Sequence, residues 1–74
     1  MPNLTIRDEC ITLARAVKAA GLAESGGQAK FFVRDGQVTV NGNVETQPGH
    51  KLRPGDRFAV PNVPEWIICH GQDA

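Results

Sequence analysis

Hydrophobic positions along this chain alternate first with a period of two, then twice with a helical period, then with a period of two again. The clearest change lies in the stretch SGGQAKFFVRDGQVTVNG, from Ser25 to Gly42. Ala29, Phe32 and Val33 recur at helical spacing and predict one apolar face. Ser25 and Gln28 have the spacing of a capping box, the Ser hydroxyl accepting from the Gln28 amide and the Gln side chain reaching back to the Ser25 amide. Gly36 supplies the left-handed residue that closes a helix, so the element is predicted over 25–35. Past Gly36 the period becomes two. Val38 and Val40 point one way, Thr39 and Asn41 the other, and Asn41-Gly42 is a pair suited to the positive φ angles of a tight hairpin turn. Strands are predicted at 37–40 and, on the return, at 44–46.

On either side of this unit the pattern is simpler. Leu4, Thr5, Ile6 and Arg7 alternate as an edge strand. Leu13, Ala16, Val17 and Ala20 fall on one helical stripe that starts at Thr12 and stops at Gly21, and Arg15 and Lys18 lie together off that stripe. The connector Leu22-Ala23-Glu24 is short enough to make the two helices immediate neighbours. Residues 47–56 read as a loop rich in turn formers, with Pro54-Gly55 at the centre of a type II turn. Short strands follow at 58–60 and 65–69, separated by a turn at 61–64. Two short helices packed on a small antiparallel sheet of about four or five strands make an α+β fold.

A chain of 74 residues is expected to be one domain, residues 1–74. At this length folding buries only about 60–65 % of the surface of the unfolded chain, so the core must be compact. No stretch is long and apolar enough to span a membrane and the first residues lack a secretory pattern, which points to a cytoplasmic protein. Cys10 and Cys69 are read as reduced, packed thiols. Cys69 and His70 are neighbours on a strand and point to opposite faces, so no metal site is expected, and no cofactor is implied. No Ser/His/Asp or Cys/His spacing, phosphate loop or carboxylate cluster points to an enzyme.

Net charge is zero, but its distribution is uneven. Between Cys10 and Arg57 lie seven basic residues (Arg15, Lys18, Lys30, Arg34, Lys51, Arg53, Arg57) against Glu24, Asp35, Glu45 and Asp56. The ends are acidic. This gives a modest basic face.

The order of elements, the small-residue helix start, the G-x-V-x-V-N-G segment and the loop ending in P-G-D before a short strand resemble the ribosomal-protein-S-four-like RNA-binding domain, or alpha-L RNA-binding motif. The match runs over about residues 12–60. E-S-G-G-Q-A-K followed by G-Q-V-T-V-N-G-N-V-E-T is similar to small stand-alone bacterial members of the YbcJ type, which add a strand at each end. This resemblance implies RNA binding through the helices and the first hairpin. The positions it implicates are Arg15 and Lys18, then Ser25, Gly26 and Gly27, then Lys30 and Arg34, with Lys51 and Arg53 in the loop. The chain departs from the pattern at Gly26, where many members carry Arg, and at Gln47-Pro48, where relatives carry basic residues.

The residues themselves support part of that reading. A helix start offers unpaired amides and the positive end of the dipole, and Gly26 and Gly27 leave a phosphate room to approach. Close helix packing is the other explanation of these glycines. Lys30 and Arg34, four apart, share a side of the helix that follows a phosphate backbone or simply faces solvent. Phe31 falls at the edge of the apolar stripe, where it either packs under the N-terminal strand or offers its ring to an unpaired base. Trp66 alternates with Ile68 and is read as core. Asn41 is explained by the turn.

The expected function is a non-catalytic RNA-binding module for structured RNA of the ribosomal or transfer RNA class, acting as a monomer. The alternative is a protein-interaction module on the same fold, with weak or lost RNA affinity. Duplex DNA is disfavoured because neither helix has the length and basic density of a major-groove reader.

Overall fold

The computed structural model describes residues 2–71. Asp73, one of the acidic end residues, lies outside them. The elements run β1 (Asn3–Ile6), β2 (Ile11–Thr12), α1 (Leu13–Ala19), α2 (Gly26–Arg34), β3 (Thr39–Val40), β4 (Asn43–Val44), β5 (Lys51–Leu52), β6 (Arg57–Ala59) and β7 (Trp66–His70). Five strands form one sheet in the order β1-β7-β6-β3-β4, and β2 and β5 form a separate two-stranded sheet. This is the expected α+β architecture. Among the described residues no helix is long and apolar enough to cross a membrane.

Both helices stop for the same reason. At the end of α1, Gly21 has φ +78°, its amide donates to the Lys18 carbonyl, and the Leu22 amide donates to the Val17 carbonyl. At the end of α2, Gly36 has φ +79°, with Gly36 bonded to Val33 and Gln37 to Phe32 in the same way. Each set is a Schellman cap, which only a residue tolerant of the left-handed region closes without strain. Leu13, Ala16 and Val17 of α1 and Ala29 and Val33 of α2 are fully buried, and they share one core with Val38, Leu52 and Phe58.

Three differences from the sequence reading concern strands. The β1–β7 pair is parallel, while the other pairs are antiparallel, so the larger sheet is mixed. Alternation in residues 4–7 marks a strand but carries no information on direction. That is set when both ends of the chain arrive at the same sheet edge. The β2–β5 pair lies where a helix start and a loop were expected, because two-residue strands are too short to show a period. The return strand is Asn43–Val44, shorter than expected, though Glu45 still donates to the Val38 carbonyl at 3.0 Å.

The V-N-G and P-G-D segments meet in space. Asn41 (φ 52°) and Gly42 (φ 87°) make the hairpin turn. The Asn41 side chain donates to Asp56 Oδ1 at 3.3 Å and accepts the Arg57 amide at 3.0 Å. Asp56 also accepts the Arg53 amide at 2.8 Å, and its own amide donates to the Arg53 carbonyl at 2.9 Å, closing the Pro54-Gly55 turn. Asn41 therefore ties the hairpin to β6. Trp66 stacks on Phe58 with ring centroids 6.5 Å apart, and packs against the core as expected. Cys10 and Cys69 are free and half-buried.

Candidate nucleic-acid interface

Ser25 leaves the helix in an extended conformation, and its hydroxyl accepts the Gln28 amide at 3.1 Å. The Gln28 side chain accepts from the Glu24 amide, one residue earlier than the capping box predicts. The Ser25 carbonyl takes the Ala29 amide. The amides of Gly26 and Gly27 are thus left without a partner among the described residues.

The two glycines are not demanded by packing. A Cβ at Gly26 would meet nothing within 4 Å, and one at Gly27 only the Ser25 hydroxyl at 3.9 Å. Neither has the positive φ that would require glycine. Close approach of the helices therefore does not account for them, and the start of α2 stays open to solvent. The start of α1 is closed. Its Leu13 and Ala14 amides donate to the His50 and Pro48 carbonyls, at 2.8 and 3.1 Å, and Thr12 makes no side-chain cap.

Beside the open end lies a groove of about 680 Å³. Arg15 and Lys18 reach it from α1, three residues apart on the side opposite Leu13 and Val17. Gly26 and Lys30 reach it from α2, and Pro48 and Gly49 from the loop that caps α1. Among the described residues no acidic side chain lines it. The charge here is therefore three cations with no local counterion, which favours an anion by simple Coulomb attraction. Arg15 also borders a second depression of about 490 Å³, where it meets Lys51, Arg7 and Asp8. Lys51 is held there because Thr12 and Lys51 are register partners in the β2–β5 pair. Lys30, Lys18, Arg15 and Lys51 thus follow one another across two neighbouring grooves.

Phe31, Arg34 and Arg53, the remaining predicted site residues, lie elsewhere. Arg34 and Phe31 border a separate depression with Gly27 and Asp35, further round α2 from Lys30. Phe31 is 60 % exposed and does not pack under the N-terminal strand. Arg53 is on the Pro54-Gly55 turn and is not among the residues lining the groove. His50 faces Glu45, with Nδ1 3.4 Å from the carboxylate. The Asn41 amide is taken up by Asp56 and Arg57. Sequence reasoning missed Pro48 and Gly49 as groove wall. It also missed Ala14 and Ala19, whose small side chains flank the two cations of α1 and keep the groove open. An exposed alanine beside a cation, as at Ala19, was the available signal, whereas Ala14 is buried in the core.

Residues 4–67 match the family model described as the S4 domain. The chain is 40 % identical over 67 residues to the probable ribosome maturation protein RlbA of Bacillus subtilis, covering 90 % of this chain and 94 % of that protein. It is 42 % identical over 59 residues to the putative RNA-binding protein YbcJ of Escherichia coli, covering 80 % and 84 %. Small ribosomal subunit protein uS4 of Thermus thermophilus is 44 % identical over 48 residues, which are 65 % of this chain but 23 % of that protein.

Proposed function

This chain belongs to the S4 domain family, and on that premise we propose that it is a non-catalytic RNA-binding module that holds structured RNA by its phosphates. The observation that carries this reading is the groove formed by Arg15, Lys18 and Lys30 beside the unpartnered amides of Gly26 and Gly27. Backbone amides at a helix start and clustered cations both favour phosphate oxygens, and neither reads base identity. Lys51 extends the tract and Ser25 holds the helix start open, while Arg34 and Arg53 lie outside it. Structured RNA suits such a site, because its shape is recognised through phosphates and 2′-hydroxyl groups. The names of RlbA and uS4 support RNA of the ribosomal class, with transfer RNA the neighbouring choice.

The test is an amide NMR titration of the labelled protein with folded ribosomal or transfer RNA fragments, at low and high salt, against duplex DNA. Shifts are expected at Arg15, Lys18, residues 25–30 and Lys51, weakened by salt and stronger for RNA. A second reading, a protein-interaction module on the same fold, is favoured by Val44, which is 62 % exposed on the outer strand β4. An RNA titration that moves no resonance at low salt would overturn the first reading and support the second.

A further inference from the structure

We propose that the depression bordered by Gly27, Phe31, Arg34 and Asp35 seats one unpaired RNA base, stacked on the ring of Phe31; the proposal rests on the RNA-binding reading and adds what part of the RNA is chosen. The depression has a volume of about 280 Å³. That is slightly below the roughly 300–1,000 Å³ of small-molecule pockets, and fits a flat ring better than a groove-spanning helix.

Three features identify the occupant. Long side chains on a helix lean toward its N-terminus, over the residue four positions earlier. For Phe31 that residue is Gly27, which has no side chain to cover the ring. Since a Cβ at Gly27 would meet only the Ser25 hydroxyl at 3.9 Å, the fold does not require that vacancy. Neither packing nor a positive φ calls for glycine there. The result is a phenyl ring 60 % exposed on a domain whose other large aromatic side chains, Phe32, Phe58 and Trp66, all belong to or pack on the core.

Charge decides between base and phosphate. Among the described residues the groove beside Lys30 holds three cations and no acid, whereas this depression holds Arg34 and Asp35 together, with no net charge. A phosphate gains from the first and little from the second. One Asp35 oxygen accepts the Gln37 side-chain amide at 2.6 Å, and the other is available to a base N–H. The two sites are also continuous, because Gly26 lines the groove and Gly27 the depression. An RNA strand with its phosphates in the groove can therefore turn one nucleotide across the start of α2 onto Phe31.

The experiment compares a blunt RNA duplex with the same duplex carrying a single bulged 2-aminopurine, by fluorescence anisotropy and by base fluorescence at low salt. Base stacking on an aromatic side chain corresponds to about 5-fold or more in affinity. The wild-type protein should prefer the bulged RNA by about that factor and quench the 2-aminopurine. Phe31→Ala and Phe31→Leu should lose the preference and the quenching while binding the blunt duplex as before, and Phe31→Trp should keep both. Gly27→Leu, which covers the ring, should raise the melting temperature yet remove the preference. Equal wild-type affinity for the two RNAs, or a preference that survives in Phe31→Ala, would overturn the stacking proposal and leave phosphate binding standing. Binding to neither RNA would overturn it together with the reading it rests on, and would leave the exposed ring to a protein partner.

Discussion

Replacing Lys18 and Lys30 by glutamine removes two of the three cations of the groove and leaves its walls intact. Both side chains are exposed, so the fold should hold to within about 0.5 kcal/mol of the parent. Its effect on RNA affinity follows from counting. The tract of Lys30, Lys18, Arg15 and Lys51 offers four cations to a phosphate backbone. Each neutralised phosphate releases counterions, which gives a slope of log affinity against log salt of about −0.7 per contact for single strands and about −0.9 for duplexes. The parent should therefore show a slope of about −2.8 to −3.6, and the double variant about −1.4 to −1.8. With 1 M salt as the point where this contribution vanishes, the missing contacts amount to about 40-fold in affinity at about 0.1 M. Fluorescence anisotropy with one labelled structured RNA over a salt series measures both quantities, and a thermal melt confirms the fold. Parallel slopes for parent and variant would refute the reasoning, since the groove would then hold no phosphate whatever the loss in affinity.

Two further predictions concern the scaffold. Asn41→Asp places a carboxylate where Asn41 donates to Asp56 at 3.3 Å; repulsion and the lost hydrogen bond should together cost about 2 kcal/mol, or about 8–16 °C in melting temperature. The exchange variant Asn41→Asp with Asp56→Asn restores a donor to the pair and should recover most of that loss in a melt; no recovery would mean that the pair does not hold the hairpin to β6. Gly71→Ala drives a Cβ into the methyl of the exposed Thr5, so it should cost about 1 kcal/mol in chemical denaturation, and Thr5→Ser, which deletes that methyl, should relieve the cost in the double variant.

Local chemistry wrote most of the backbone into the chain. A side chain that bonds its own neighbours, or a glycine that alone tolerates positive φ, acts within a few residues. The Ser25 cap, the ends of both helices at Gly21 and Gly36, the Asn41-Gly42 hairpin turn and the Pro54-Gly55 turn were therefore all legible before any fold was known. The helical and twofold periods added the buried stripes, and with them the exposed sides that carry Arg15, Lys18 and Lys30. Partners distant in sequence were not legible. The parallel direction of β1 on β7 and the short β2–β5 pair depend on where distant segments meet, and two to four residues of alternation cannot encode that. The same holds for the site. Sequence placed Lys30 and Arg34 together because they are four apart, yet tertiary packing divided them: α1 and the 48–49 loop close round Lys30 to make a cationic groove, while Arg34 stays with Phe31 on the outer side of α2. Whether the glycines of α2 served packing or left an open surface was likewise a question of what stands opposite them, and only the folded chain shows that nothing within 4 Å opposes Gly26.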